Sequence, residues 1–375
     1  MKISRKKLLK LRSQAAQHRL ENLQTVIGVI AGAAGKTTTK ELVAHIFKGS
    51  NFKTFCSRGN LNGNYGTAVS LLSIPHFIEY AVLEVGIDAP KAMSGHLKMI
   101  KPDFGLMTNI GLEHLNKLKN ISQIANEEMK LFDYLDVNFG TIIINADDQI
   151  ILGRSKKYKQ AQKFFYSFNK RCPRNLWIQG ILKSNRNFKI VFPNGDSITV
   201  TNHLFGTQSY QNLLAAICLC YVLGLTPKEI KRGVAGFHPP HLRNQFLKRN
   251  GYLLIADMYN ATPLGMKTSL ADLFMQFPGH KKILILGDML DLGSKSVNIH
   301  QQIARYLKPQ RNTSIIFIGK HFFKTRKLFR LRKDVEFFLS FEKAIPKLEK
   351  LNCLGKVVFV KGSRSLKLEQ TLKII

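Results

Sequence analysis

From Thr25 onward, short apolar runs alternate with longer segments whose apolar residues recur at helical spacing, which predicts strands and helices in turn. TVIGVIAG, residues 25–32, reads as a strand and TTTKELVAHIF, 37–47, starts a helix. Further strands are predicted at 80–85, 105–108 and 141–145, separated by helix-like segments such as 121–135. That order predicts a parallel sheet with helices on its faces. Between Phe164 and Leu204 the pattern becomes that of a hairpin, since FKIVF and SITV flank the turn residues Pro193, Asn194, Gly195 and Asp196. Two helices follow, 211–223 and 228–234, and the tandem Pro239 and Pro240 mark a boundary. The βαβ rhythm then restarts with YLLIAD, KILILGD, SIIFIGK and KVVFVKG as four strands.

The first 24 residues stand apart. Leu8, Leu11 and Ala15 recur at helical spacing among many cations, which predicts a basic helix, a solvated leader in the first reading and one docked on the protein, a partner or a membrane surface in the second. No apolar stretch follows it, so it is neither a signal peptide nor a membrane span. The longest apolar stretch, 213–225, is too short to cross a bilayer. A cytoplasmic protein is expected.

With 375 residues, 45% of them hydrophobic and 22% charged, the chain has room for two or three packed domains. Charge changes the picture more: 57 Lys and Arg against 24 Asp and Glu leave a net +33. Nucleotides, UDP-linked precursors, nucleic acid and an acidic membrane surface all suit that sign, as does a lysine-rich source. Nucleic acid is the weaker choice, because no helicase-like motif set is present and no aromatic residues interleave with a basic stripe. Cys56, Cys172, Cys218, Cys220 and Cys353 are odd in number and lack metal-ligand spacing, which points to a reducing compartment without structural zinc.

The sharpest chemical signal lies between the first strand and its helix: Gly32, Ala33, Ala34, Gly35, Lys36, Thr37 and Thr38. In such a loop backbone N–H groups hold phosphate oxygens, the Lys36 ammonium reaches the terminal phosphates and the Thr37 hydroxyl can bind Mg2+. The turn is a shorter G-x-x-G-K-T-T variant, with Ile30 where the general pattern has a glycine.

This short loop resembles that of the Mur ligases, and so do further stretches in the same order. SRGNLNGNYG, VLEVGIDAPK and MTNIGLEHL are similar to the family's segments after the P-loop helix and at its two metal positions. ADMYNATPLGM, LGDMLDLGSKSVNIH and VKGSR resemble the C-terminal motifs of members that add D-alanyl-D-alanine. The resemblance implies an α/β fold: a P-loop central domain with a parallel sheet and a small antiparallel insertion (25–240), then a Rossmann-like C-terminal domain (241–375), preceded by the basic helix (1–24).

It also implies ATP and Mg2+ as cofactors and an acid activated as an acyl phosphate. The donor would be a UDP-muramoyl peptide and the acceptor D-alanyl-D-alanine or another amine. Carried over residue by residue, Lys36, His114 and Arg243 are catalytic. Gly32 to Thr38 bind the phosphates, with Arg243 brought toward them, while Asn212 serves the adenine and Asp257 the ribose; Thr37, Glu84, His114 and Glu128 belong to the metal positions. Glu128 stands where the family has a carbamylated lysine, Leu242 interrupts the pattern around Arg243, and Ala256 replaces the first Asp of a pair. Each residue taken alone has a plainer reading. Glu84 could be a solvated strand end, His114 could pack on Leu115, Asn212 could satisfy a backbone group, and Arg243 could be a surface cation. The family's N-terminal substrate domain has no counterpart in residues 1–24, so the expectation is either that a separate chain supplies it or that the carboxylate donor is a different, smaller molecule.

Overall fold

The computed structural model describes residues 4–168, 177–183, 187–201 and 204–375, and the chain divides into two units. The first comprises Met1–Gly111, Lys117–Asn202 and Tyr210–His238. Its elements in chain order begin with α1 (Arg5–Glu21), β1 (Val26–Ala31), α2 (Lys36–Phe47), β2 (Thr54–Cys56), α3 (Asn64–Leu72), β3 (Tyr80–Glu84), α4 (Ala92–Ile100) and β4 (Phe104–Met107). They continue with α5 (Ile121–Glu128), α6 (Lys130–Val137), β5 (Thr141–Asn145), α7 (Gln149–Ser155), β6 (Gln162–Ser167), β7 (Trp177–Leu182), β8 (Asn187–Val191), β9 (Ser197–Thr201), α8 (Thr207–Val222) and α9 (Pro227–Val234).

An unbroken apolar run is stable in water only where both faces of its strand are covered. β1 is such a strand, buried at every position after Val26, and it pairs in parallel with β3 and β4. Gly28 lets the Phe104 ring lie across the strand, since a Cβ there would meet that ring at 1.7 Å. The nine-stranded sheet runs β2-β3-β1-β4-β5-β6-β7-β8-β9. The expected antiparallel insertion is present as β7 to β9, but it extends the main sheet instead of standing apart. β7 joins β6 in parallel, and Trp177 stacks on Phe165 at 4.8 Å and 10°. The helix expected over 121–135 is interrupted at Met129, which ends α5 and precedes α6.

The basic helix is docked on the unit, contrary to the solvated leader its charge suggests. Arg19, 3% exposed, donates to the carbonyls of Ile100 (3.0 Å), Lys101 (3.3 Å), Asn22 (2.9 Å) and Thr25 (3.1 Å) and pairs with Asp103 at 3.0 Å. Ile100 and Lys101 close α4, so the guanidinium meets carbonyls that a helix end leaves unpaired. Arg12 adds bonds to Asn64 Oδ1 (2.6 Å) and the Gly95 carbonyl (2.5 Å). Among the described residues no helix is long and apolar enough to cross a membrane.

The second unit comprises Leu112–Asn116, His203–Ser209 and Pro239–Ile375. It holds β10 (Gln245–Arg249), β11 (Tyr252–Asp257), α10 (Pro263–Gln276), β12 (Lys282–Gly287), α11 (Ser296–Leu307), β13 (Thr313–Ile318), α12 (Lys320–Phe323), β14 (Val335–Phe338), α13 (Phe341–Leu348), β15 (Val357–Lys361) and α14 (Thr371–Ile374). Its sheet runs β10-β11-β15-β12-β13-β14, parallel except for the β10–β11 pair. The last strand, β15, enters between β11 and β12, which makes Asp257 and Lys361 register partners at the ligand-binding, C-terminal edge of the sheet. Cys56, Cys218, Cys220 and Cys353 are free thiols; Cys172 lies outside the described residues.

Candidate active site

In the first unit the chain leaves β1 at Ala31 and enters α2 at Lys36, so the glycine turn sits on the N-terminus of a 12-residue helix. Gly32 and Gly35 have φ of 116° and 90°, a region that side chains other than hydrogen strongly disfavour. Both are also hemmed in. A Cβ on Gly32 would meet Thr108 Oγ1 at 2.4 Å, and one on Gly35 would meet Asn212 Oδ1 at 2.1 Å. The buried Asn212 of α8 therefore lies directly against the glycine turn.

Asn109 pins the same loop from the other side. Its carbonyl accepts from Ala33 N (3.0 Å), its Oδ1 accepts from Ala34 N (2.9 Å), and its Nδ2 donates to the Ala34 carbonyl (2.9 Å). The expectation that Ala33 and Ala34 bind phosphate through their amides is thus not met in this conformation, because Asn109 already takes both. The first-turn amides of Lys36, Thr37 and Thr38 precede the helical ladder, which begins where Thr39 N donates to the Gly35 carbonyl at 2.9 Å. Lys36 Nζ folds back to donate to the Gly32 carbonyl, and Thr37 and Thr38 are buried in the same turn.

One turn along α2, Lys40 is fully buried and donates to the Gly59 carbonyl at 2.6 Å. Its ammonium is 3.0 Å from Glu41 Oε1 and 4.0 Å from Glu84 Oε2. Glu84, at the end of β3, is 1% exposed; its Oε1 accepts from Asn62 Nδ2 at 2.6 Å and its amide donates to Ser57 Oγ at 3.1 Å. Glu84 Oε2 has no hydrogen-bond donor among the described residues. A buried carboxylate oxygen with one ammonium 4.0 Å away and lacking a donor suits a divalent ion, so the fit to Mg2+ at Glu84 is favourable.

Among the described residues no three His, Cys, Asp or Glu side chains come together as a metal site. Glu128 is buried at the end of α5. Its neighbour Glu127 accepts from Met93 N (2.9 Å) at the start of α4 and pairs with Lys130 at 2.5 Å. His114 lies in the segment that belongs to the second unit, held where Leu115 N donates to the Asp291 carbonyl at 2.8 Å. Its φ is 50°, and its Nε2 is 3.9 Å from Glu113 Oε2.

In the second unit Asp257, buried at the end of β11, accepts a short hydrogen bond from Lys361 Nζ. Beyond it the Arg243 guanidinium stacks 3.8 Å from the centroid of the Tyr259 ring, and the Arg364 guanidinium lies 5.5 Å from the same centroid. Reasoning from sequence singled out Arg243 and Asp257 but passed over Lys361, Tyr259 and Arg364, as it passed over Asn109 and Lys40. Asn109, Tyr259, Lys361 and Arg364 sit inside stretches already marked by resemblance, and Lys40 lies two residues beyond the glycine loop, in the helix that follows it.

Comparison with known proteins supplies the rest. Residues 30–220 match the model of the Mur ligase middle domain, and residues 242–364 match that of the Mur ligase glutamate ligase domain. UDP-N-acetylmuramoyl-tripeptide--D-alanyl-D-alanine ligase of Bacillus subtilis is 27% identical over 96% of this chain and 78% of its own length. The ligase of that name from Buchnera aphidicola subsp. Baizongia pistaciae is 31% identical over 92% of this chain and 74% of its own. Among solved structures, MurF from Acinetobacter baumannii matches with a TM-score of 0.87 at 24% identity, covering 98% of this chain and 80% of that one. MurF ligase from Thermotoga maritima, solved in complex with ADP, matches with a TM-score of 0.84 at 22% identity, covering 100% and 84%.

Proposed function

The chain belongs to the Mur ligase family, and from that premise we propose that it is an ATP-dependent, ADP-forming amide ligase that joins D-alanyl-D-alanine to a UDP-muramoyl tripeptide in peptidoglycan precursor synthesis. The observation that carries the reading is the Lys36 turn, a glycine-framed helix N-terminus pinned by Asn109 and backed by Asn212. The relatives named for this reaction supply the substrates. Its place is the cytoplasm, where ATP and nucleotide-linked precursors are made available to it.

A carboxylate is a poor electrophile, and this dictates the order of events. A donor oxygen attacks the γ-phosphorus of ATP, ADP departs, and the acid becomes an acyl phosphate. The uncharged acceptor amine then attacks the acyl carbon, and inorganic phosphate leaves with the former carboxylate oxygen. Lys36 and the first-turn amides of α2 hold the phosphates, and Arg243 adds positive charge as the phosphoryl group moves. Asn212 takes the adenine side and Asp257 the ribose side of the nucleotide. Thr37 and Glu84 would hold Mg2+, with His114 and Glu128 assigned to a second ion; such ions neutralise charge on the phosphates. The idea that a separate chain supplies a further substrate domain has no support in the structure or in the relatives.

Glu128, where the family's lysine would stand, favours a second reading: a member turned to another peptide or amino-acid conjugate, or one that binds nucleotide without turnover. Phosphate release with magnesium ATP, UDP-muramoyl tripeptide and D-alanyl-D-alanine, each omitted in turn, decides between them. Release that needs all three supports the ligase; nucleotide binding without release under any combination contradicts it.

A further inference from the structure

The strands β2, β3, β1, β4, β5 and β6 are all parallel, so the segments leading into them line one edge of the first unit's sheet. The Lys36 turn and Glu84 come at the ends of β1 and β3 and lie at the other edge. On the leading edge, large apolar side chains stand in solvent. Phe77 before β3 is 76% exposed and Phe139 before β5 75%, with Leu23 before β1 and Val137 at the end of α6 exposed on the same edge. Three strand spacings separate β3 from β5, about 14 Å. Phe77, Phe139 and Lys101, which precedes β4, have φ of 64°, 55° and 48°, a left-handed backbone strained for bulky side chains. Lys101 caps α4 and Phe139 follows α6, places that glycine ordinarily takes. Strain kept for rings that the unit does not bury points to something the rings meet outside it.

Charge decides what that is. Lys53, Lys101 and Lys159 lead into β2, β4 and β6 and are exposed, so ammonium groups alternate with the apolar tips along the edge. The carboxylates there are bonded within the protein. Glu79 accepts from Lys53 N at 2.7 Å, Asp103 accepts from Ile27 N at 2.8 Å and pairs with Arg19, and Asp136 accepts from the amides of Gln160 and Ala161 at 2.8 Å each. Lysine is depleted where proteins pack on proteins, whereas separate apolar tips set among lysines suit the boundary of an anionic bilayer. We propose that this edge docks on an anionic lipid bilayer, Phe77, Leu23 and Phe139 entering the acyl boundary while Lys53, Lys101 and Lys159 meet headgroup phosphates. The proposal holds whichever reaction the opposite edge performs.

The test is co-sedimentation of the full chain with vesicles of phosphatidylcholine alone or in equal parts with phosphatidylglycerol. The wild type should pellet with the mixed vesicles, less so as salt rises, and stay free of the neutral ones. The double variant Phe77→Gly, Phe139→Gly should keep or raise Tm, since glycine relaxes the left-handed backbone, yet weaken partitioning about 10-fold per ring. Lys101→Gln should weaken it about 5-fold. Should the glycine variant unfold, Leu23→Ser decides by the same loss of about 10-fold. A wild type that ignores the mixed vesicles overturns the proposal. So does a glycine variant that binds them as the wild type does, which would leave only unspecific attraction to the net charge of +33. A dimer in sedimentation velocity that the same variants dissociate also overturns it, because a second copy would then cover the edge.

Discussion

Replacing Lys40 with Met keeps the length of the side chain and removes a charge that is wholly enclosed. Two groups lose their partner: the Gly59 carbonyl, bonded at 2.6 Å, and Glu84, 4.0 Å away and 1% exposed. Glu41 is more than a third exposed, so its share is small. A buried carboxylate left without its cation costs about 3–5 kcal/mol. For a unit of this size that lowers Tm by roughly 6–20 °C. Scanning calorimetry on Lys40→Met, Glu84→Gln and the double variant measures it. The double variant should recover about 2 kcal/mol relative to the sum of the singles, because the stranded charge is gone. With Mg2+ at Glu84 as proposed, magnesium ADP should raise the Tm of Lys40→Met more than that of the wild type, because the ion would replace the missing cation. A cost for Lys40→Met below about 1 kcal/mol, or strict additivity with Glu84→Gln, refutes the reasoning.

His96 is buried in α4 with both ring nitrogens unbonded among the described residues. Burial, with the Arg12 guanidinium beside it, pushes its pKa down from 6.5 to about 4, against the smaller opposing pull of the Gly86 backbone, Asp88 and Glu127. Because the folded value lies below the unfolded one, the unfolded chain takes up the proton first. Stability is full above pH 6.5 and falls by about 3 kcal/mol as pH drops toward 4, a slope that urea titrations should find weaker in His96→Leu. Gly35→Ala places a methyl 2.1 Å from Asn212 Oδ1 on a backbone at φ 90°, so nucleotide affinity measured by calorimetry should fall at least about 10-fold; unchanged affinity would mean the loop does not hold this turn. Arg19→Met removes the guanidinium donor from the Ile100 and Thr25 carbonyls and should cost about 2–4 kcal/mol in urea unfolding, whereas a surface cation would cost almost nothing.

Much of the α/β framework was legible because its signals are local. The strand, glycine turn and helix from Val26 to Phe47 follow one another with nothing between to confuse the period, and Thr141–Asn145 stands where its apolar run predicts. Among the strands that the apolar pattern does not mark, β2, β10 and β14 have no fully buried position and owe their conformation to a neighbour's edge. Arg19 escaped for a different reason. Nothing in a run of cations says which one will meet the end of another helix some 80 residues away in the chain, at Ile100 and Lys101. At the site, glycine spacing marks the turn between β1 and α2, yet the engagement of Ala33 and Ala34 by Asn109 depends on two strands lying side by side. The Arg243, Tyr259 and Arg364 stack likewise needs β15 to enter between β11 and β12, a crossover invisible to any local pattern.

The central claim is that the phosphoryl group held at Lys36 is passed to an acid. Labelling both carboxylate oxygens of the donor with 18O and following the released phosphate by 31P NMR tests it directly. The account predicts one 18O atom in each phosphate formed with amide product, and loss of the signal in Lys36→Ala. Phosphate free of label, with product still formed, would contradict it.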